Sequence, residues 1–229
     1  VDNAESDLQK CFAINENGPK NLAIVCKAQN AFLIHISTDF VFSGDISYPL
    51  TENSPVAPKG IYGTSKLAGE RMVKTFLDNH IIIRTAWLYS TFGSNFLKTI
   101  LRLAKEREWL KVVFDQVGTP TYARDLAEVI IDLMYDEDLS IKTGLYHYSN
   151  EGVASWYDFA LATVELSGLK TEIFPIETFE YPTPAKRPHY SVLNKGKIKN
   201  AFGIRIPHWR VSLKDCLAKL ENERLKTKN

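Results

Sequence analysis

The sequence predicts an α/β fold in which a parallel sheet is connected by crossover helices. Two repeats of one step support this prediction. A helical segment at residues 20–29 precedes the short apolar run 31–36, and a second helical segment at 62–77 precedes the β-branched run 81–85. Short apolar runs of this kind are typical of strands buried on both faces of a parallel sheet. Parallel strands need crossover connections, which the helices between the runs can provide.

Periodicity and capping residues predict further elements after residue 85. We expect helices at residues 95–106, 125–135, 155–166 and 212–224, and strands at 111–114 and 145–149. The last of these helices is predicted to open at Ser212, with Asp215 completing a cap-like pair. The segment 177–188 contains three prolines and little periodicity, which predicts a long loop of the kind that often binds ligands.

Composition excludes several classes of protein. The chain is 45% hydrophobic and 24% charged, and its 28 basic and 27 acidic residues leave a net charge of +1. Such a balance produces no field that would attract nucleic acid or an anionic membrane. The longest run without charged side chains, residues 85–97, is too short and too polar to span a bilayer. We therefore expect a small-molecule or protein partner, with no nucleic acid and no membrane.

Cysteine and histidine spacing bears on compartment and metal binding. Cys11, Cys26 and Cys216 are odd in number and far apart, which favours reduced thiols in a cytoplasmic protein over a disulfide framework. No two histidines are spaced four residues apart, as two ligands on one helix face would be. No metal site is expected.

Tyr62 and Lys66 lie four residues apart in a predicted helix, so their side chains share one face. Reduction of a ketone needs a proton donor, because hydride transfer to carbon leaves an alkoxide. A phenol with a pKa of about 10 donates well only when a nearby positive charge lowers that pKa. The spacing arises easily by chance in a chain with ten tyrosines, so its place in the fold must support it.

Thr38 follows the first predicted strand, at the edge where open α/β sheets bind ligands. Its hydroxyl can donate a hydrogen bond to a substrate oxygen beside the tyrosine. In the alternative interpretation, Thr38 is a turn residue and Tyr62 and Lys66 form a surface pair. The pattern alone leaves both interpretations open.

Three ordered motifs resemble the core motifs of the dTDP-4-dehydrorhamnose reductases. They are STDFVFSG at 37–44, YGTSKLAGE at 62–70 and RTAWLY at 84–89. DQVGTPT at 115–121 and RPHYSVL at 187–193 extend the resemblance over essentially the whole chain.

The resemblance implies an extended short-chain dehydrogenase/reductase, with a Rossmann-like cofactor domain and a smaller α+β substrate domain interleaved in sequence. Residues 1–85 and about 125–150 would then belong to the NAD(P)-binding domain, and about 86–124 and 151–229 to the substrate domain. The implied reaction is the NADPH- or NADH-dependent reduction of the 4-keto group of dTDP-4-dehydro-L-rhamnose to dTDP-L-rhamnose. This reaction belongs to nucleotide-sugar and cell-surface polysaccharide biosynthesis.

The resemblance also implies roles for individual residues. Tyr62 matches the catalytic acid, and Lys66 matches the residue that binds the nicotinamide ribose and tunes that tyrosine. Both Tyr62 and Lys66 are thereby expected to contact the cofactor. Thr38 matches the assisting hydroxyl. Four residues fall where the family contacts the sugar nucleotide, with the last as a phosphate partner: Thr38, Asp39, Trp87 and Arg187. Phe40 stands where many relatives have tyrosine, so a polar contact is expected to be missing there.

The 229 residues contain no G-x-G-x-x-G turn, which is the pyrophosphate-binding signature of dinucleotide folds. The resemblance places Val1 just after the third strand of the cofactor domain. We therefore expect about 60 to 70 residues carrying that signature to precede Val1, and the 229-residue polypeptide by itself to be inactive. The choice between NADH and NADPH stays open for the same reason.

Two other functions stay open. An epimerase or dehydratase of the same superfamily uses the same tyrosine and lysine but regenerates its cofactor. Dehydratases usually have an acidic pair beside the threonine, whereas Asp39 is followed by Phe40. A non-catalytic relative, such as the regulatory subunit of methionine adenosyltransferase, shares the fold, although the presence of both Tyr62 and Lys66 favours an enzyme. The sequence does not fix the oligomeric state, and a homodimer is one option.

Overall fold

The computed structural model describes residues 1–226, apart from the side chains of Arg224 and Lys226. The α-helices of the described chain are α1 (Leu8–Phe12), α2 (Gly18–Ala28), α3 (Ile61–Phe76), α4 (Phe96–Glu106), α5 (Ala123–Met134), α6 (Trp156–Leu166), α7 (Gly196–Phe202) and α8 (Trp209–Lys226). Its strands are β1 (Leu33–Thr38), β2 (His80–Thr85), β3 (Leu88–Tyr89), β4 (Trp109–Val113), β5 (Val117–Gly118), β6 (Thr121–Tyr122), β7 (Gly144–His147), β8 (Ala154–Ser155) and β9 (Glu172–Ile176).

The chain forms two compact units, each assembled from three separate stretches of sequence. The first unit comprises Val1–Ala86, Val129–Tyr148 and Thr183–Ile204. The second comprises Trp87–Glu128, Ser149–Pro182 and the chain from Arg205 onwards. None of the helices within the described range has both the length and the apolar character that a membrane-spanning segment requires.

A three-stranded parallel sheet in the order β1-β2-β7 forms the centre of the first unit. The middle strand is buried along its whole length, which explains its run of three isoleucines. Thr38 at the end of β1 lies opposite Thr85 at the end of β2. The predicted parallel sheet with crossover helices is confirmed, and β1 begins at Leu33, two residues after the predicted start.

The segment Thr183–Ile204 lies in the first unit and not with the rest of 151–229, where the sequence analysis grouped it. Hydrogen bonds to the loop after β1 explain its position. Leu50 N donates to Val192 O (2.9 Å), Asn194 N donates to Leu50 O (2.7 Å), and Tyr190 N donates to Gly44 O (3.3 Å).

In the second unit, helices α4, α6 and α8 contribute to a core that contains Leu97, Phe159 and Leu213. Both predicted helix starts at 95 and 155 are N-caps. The Asn95 side chain accepts a bond from Lys98 N (3.1 Å), and Ser155 forms a capping box with Asp158. Strand β9 was not predicted. It contains Pro175, which is tolerated because β9 pairs only with β4 in a two-stranded ladder.

The predicted start of the last helix at Ser212 is wrong, because α8 begins at Trp209. The Ser212 hydroxyl takes part in a buried network and does not cap the helix. It donates to Asp125 Oδ2 (2.5 Å), and the Asn150 side-chain amide donates to both Ser212 Oγ (3.0 Å) and Asp125 Oδ2 (2.6 Å). The partners lie 62 and 87 residues away in sequence, which local capping rules cannot anticipate.

Candidate active site

The end of β1 places Thr38 and Asp39 at the carboxyl edge of the sheet in the first unit. Both side chains are buried. Thr38 Oγ1 donates to Asp39 Oδ1 (3.0 Å) and accepts from Phe40 N (3.2 Å), which starts the tight turn Asp39–Val41. The turn fixes the threonine hydroxyl just beyond the strand, as predicted from the sequence.

Helix α3 approaches this turn closely enough to exclude any side chain at Gly63. A Cβ atom there would lie 2.2 Å from the carbonyl oxygen of Phe40. The close approach brings the Tyr62 ring against the Phe40 ring, edge to face, with centroids 5.5 Å apart. The phenylalanine that replaces the family's tyrosine therefore packs against the candidate acid.

The Tyr62 hydroxyl lies near the hydroxyl of Thr38 and the carboxylate of Asp39, and both of these groups influence the ionisation of Tyr62. Burial raises the pKa of Tyr62, the neighbouring Thr38 hydroxyl opposes that rise, and the negative charge of Asp39 adds to it. The structure thus holds Tyr62 in its protonated form, which is the form that a proton donor needs.

Lys66 lies one turn further along α3, and its ammonium group donates to the carbonyl oxygen of Ile36 in β1 (2.6 Å). Burial lowers the pKa of Lys66, and the carboxylate of Glu70 opposes that shift. The spacing of Lys66 and Tyr62 predicts that the lysine lowers the pKa of the tyrosine, whereas that pKa is raised in the structure. The reason is that Tyr62 has lost water and the lysine is bound to the strand.

Asp39 is a buried carboxylate of this site. Burial raises the pKa of Asp39 to about 6, and the hydroxyls of Ser191 and Thr38 oppose the rise. Ser191 was not singled out from the sequence, although it lies in one of the quoted motifs. Its contact with Asp39 depends on the return of segment 183–204 to the first unit, and no local pattern signals that return.

Arg187 is already engaged within the first unit. Its Nη2 atom lies 2.9 Å from Asp2 Oδ2, and its Nη1 atom donates to Asp2 Oδ1 (3.3 Å), Thr183 Oγ1 (2.5 Å) and Ala185 O (3.2 Å). The structure does not bring Arg187 to Thr38 or Tyr62 through any contact described here.

Trp87 belongs to the second unit and has an unusual backbone. Its φ of +48° is in the left-handed region, which is strained for a bulky residue. The indole stacks on Trp156, with ring centroids 3.6 Å apart and an interplanar angle of 9°. Trp156 is held in turn by a bond from its Nε1 to Gln116 Oε1 (3.2 Å). Strain of this kind is concentrated at functional positions.

Comparison with known proteins assigns this chain to a family. A model described as the RmlD substrate binding domain matches residues 1–222. The chain belongs to this family.

Curated proteins similar in sequence to this chain include dTDP-4-dehydrorhamnose reductases. The spore coat polysaccharide biosynthesis protein SpsK of Bacillus subtilis is 45% identical over 217 residues, covering 95% of this chain and 75% of the relative. The dTDP-4-dehydrorhamnose reductase of Aggregatibacter actinomycetemcomitans is 40% identical over 229 residues, covering 96% and 78%.

Solved structures agree with this family assignment. A dTDP-4-dehydrorhamnose reductase from Clostridium acetobutylicum superposes with a TM-score of 0.92 at 41% identity, covering 96% of this chain and 77% of that one. The Bacillus anthracis reductase in complex with NADP gives 0.91 at 38% identity, covering 96% and 76%. The dehydratase DesIV of Streptomyces venezuelae, at 17% identity and a TM-score of 0.80, shares the fold alone.

Proposed function

We propose that this protein reduces the 4-keto group of dTDP-4-dehydro-L-rhamnose with NADPH or NADH, giving dTDP-L-rhamnose. The observation that carries this conclusion is the convergence of Thr38, Tyr62 and Lys66 at the carboxyl edge of one sheet. Identities of about 40% to named reductases over nearly the whole chain support the same reaction.

Each residue has a definable role in the reduction. A bound nicotinamide cofactor supplies the hydride that reduces the substrate's carbonyl carbon. Tyr62 donates its proton to the carbonyl oxygen, and Thr38 donates a hydrogen bond to that same oxygen once its hydroxyl turns away from Asp39 Oδ1. The phenol holds its proton until that moment, because burial keeps its pKa above the ordinary value of about 10. The ammonium of Lys66 is proposed to favour release of the proton to the substrate.

Lys66 suits the nicotinamide ribose. Its bond to Ile36 O uses one of the three ammonium donors. The remaining donors can bind two ribose hydroxyls while the carbonyl holds the side chain in place. We assign the cofactor to the first unit on this basis, and one of the proposed substrate contacts, Trp87, lies in the second.

Three further residues are proposed to contact the sugar nucleotide. Asp39 can accept bonds from sugar hydroxyls at the strand edge, and Trp87 offers an aromatic surface. Arg187 can pair with a phosphate if its guanidinium group shares its donors with Asp2 or releases that carboxylate. Its affinity for the nucleotide is therefore in competition with that ion pair.

Reduced cysteines support a cytoplasmic location, where free Cys11, Cys26 and Cys216 are stable as thiols.

Sedimentation velocity on the intact gene product tests whether the active form is a homodimer.

The test of the proposed function is NADPH oxidation by the intact gene product with dTDP-4-dehydro-L-rhamnose. A reductase consumes one NADPH per sugar reduced. An epimerase or dehydratase regenerates its cofactor, and a regulatory relative leaves it untouched, so either would show no net oxidation.

A further inference from the structure

A buried ion pair lies beside the candidate active site and has no part in the proposed chemistry. Arg84 donates to Glu70 through Nε (2.8 Å) and Nη2 (2.7 Å), and Ser37 Oγ donates to the same carboxylate (2.5 Å). The side chains of Arg84 and Glu70 are only 3% and 1% exposed. A buried pair of this kind is often no more stabilising than apolar residues of similar volume. Stability alone therefore does not account for its presence.

The three partners come from the three elements that build the site. Ser37 directly precedes Thr38 on β1, and Arg84 lies opposite Ser37 in the register of β1 and β2. Glu70 is on α3, one turn beyond Lys66 and two turns beyond Tyr62. One carboxylate therefore joins the strand that carries the threonine to the helix that carries the tyrosine and the lysine.

We propose that Glu70 is a positioning residue for the reduction, which fixes α3 against the ends of β1 and β2 through its bonds to Ser37 and Arg84. This inference rests on the proposed function, because it concerns the placement of Tyr62 and Lys66. A shift of about 1 Å in a reacting group can lower a rate by about 100-fold. Three hydrogen bonds to one buried carboxylate restrict both sliding and rotation of the helix.

Glu70 also acts on Lys66 through its charge. Burial lowers the pKa of Lys66, and Glu70 raises it. Loss of the carboxylate charge therefore lowers the pKa of Lys66, so that the ammonium is lost at a lower pH. The alkaline limb of kcat should then move to lower pH.

Other charged or titratable groups lie near this cluster or near Tyr62. They are Cys11 on α1, His35 on β1, Asp39 in the turn, Lys74 on α3, His80 on β2, His147 on β7 and Lys197 on α7. Burial lowers the pKa of His35 to about 4 and that of His147 to about 3. Both histidines are thus neutral in the alkaline range, which leaves Lys66 and the phenol of Tyr62 as the proposed catalytic groups that titrate there.

The test uses Glu70→Gln and the double variant Glu70→Met/Arg84→Met in the intact gene product. The single variant leaves Arg84 buried without its carboxylate and is expected to be destabilised. The double variant removes both charges and restores stability. Glu106→Gln is the matched control, because it breaks the exposed pair of Arg102 and Glu106 on α4.

Two measurements are made on each folded variant. Steady-state kinetics against pH should give a kcat lower by about tenfold or more in the double variant, with KM for the sugar nucleotide within about twofold. Carbon NMR of labelled lysine, with Lys66 assigned by loss of its signal in Lys66→Met, should show a lowered pKa of Lys66. The control should match the parent in both.

A double variant as stable as the parent, with the parent's kcat and Lys66 pKa, overturns the proposal and makes the pair purely structural. If neither variant folds, Ser37→Ala removes one bond to the carboxylate, and an unchanged kcat then overturns it. The NMR measurement needs no substrate. If the parent oxidises no NADPH, the proposed function is wrong. The pKa of Lys66 in the parent and the variants still tests whether Glu70 acts on Lys66.

Discussion

Burial raises the pKa of Tyr62 above its ordinary value of about 10, and the same burial makes the phenolate costly once the proton has left. A positive charge must balance that phenolate during turnover. Lys66, one turn away on α3 and bound to Ile36 O, is the residue proposed to supply that charge.

Replacing Tyr62 with phenylalanine removes the proton donor while keeping the ring that packs on Phe40. We expect kcat to fall by about 100-fold or more, with little change in KM, because the lost bond forms mainly in the transition state. Tyr135→Phe, at a residue 83% exposed, is the control. Near-normal turnover of the Tyr62 variant would exclude Tyr62 as the acid.

Trp87→Ala tests the second unit. If the indole of Trp87 contacts the sugar nucleotide, KM for that substrate should rise by about tenfold, which corresponds to about 1.4 kcal/mol of lost binding free energy. Trp109→Ala removes an indole that is 54% exposed in the same unit and serves as the control. An unchanged KM with a lower melting temperature would show that Trp87 only packs against Trp156.

Some residues of the candidate site can be predicted from the sequence, and others cannot. Thr38, Tyr62 and Lys66 were predicted because a strand end and a helical spacing are local patterns. Ser191 and Glu70 were not singled out, because their importance depends on partners that are far away in sequence. Ser37 and Arg84, which bind Glu70, lie 33 and 14 residues from it.

At the scale of elements, the site depends on how closely α3 approaches the turn after β1. Gly63→Ala would place a methyl group 2.2 Å from Phe40 O if nothing moved. We expect the free energy of unfolding to fall by about 1–3 kcal/mol. The kcat should also fall, by about tenfold or more, because Tyr62 is displaced together with the helix.

Gly18→Ala is the matched control for this substitution. The glycine lies in α2, and a Cβ atom there would be 3.8 Å from Ala13 O, an ordinary contact. Alanine should leave kcat unchanged and stabilise the helix by about 0.5–1 kcal/mol. Equal behaviour of the two variants in thermal unfolding and kinetics would refute the close-approach argument.

Helices were predicted more closely than strands, and the reasons are physical. Asn95 and Ser155 carry local capping signals, and α4 and α6 begin directly after them. Strands β3, β5, β6 and β8 contain two residues each, which is too short for an alternating pattern. Their pairing is set by long-range contacts within the second unit.

At the scale of the whole molecule, buried histidines make stability depend on pH. Burial, together with the positive charge of Arg84, lowers the pKa of His147 to about 3. The folded-state value lies below the unfolded value of about 6.5. The contribution of neutral His147 to the free energy of unfolding is therefore complete above about pH 6.5. It decreases as the pH falls towards 3, by about 1.4 kcal/mol per pH unit.

His147→Asn should reduce this acid sensitivity, because the amide can still donate to Leu50 O but does not titrate. Urea unfolding at pH 7 and pH 4.5 should show a smaller loss for the variant than for the parent. His189→Asn, at an exposed histidine of the same unit, is the control. A loss equal to the parent's would show that His147 does not titrate in this range.

Transfer of deuterium from the cofactor to the sugar tests the central claim most directly. The intact gene product is given dTDP-4-dehydro-L-rhamnose and NADPH deuterated on both faces at nicotinamide C4, and the product is analysed by mass spectrometry and proton NMR. Reduction by the site described above predicts one deuterium at C4 of dTDP-L-rhamnose for each NADPH consumed. A changed sugar without cofactor deuterium, or with no net NADPH consumption, would contradict the account.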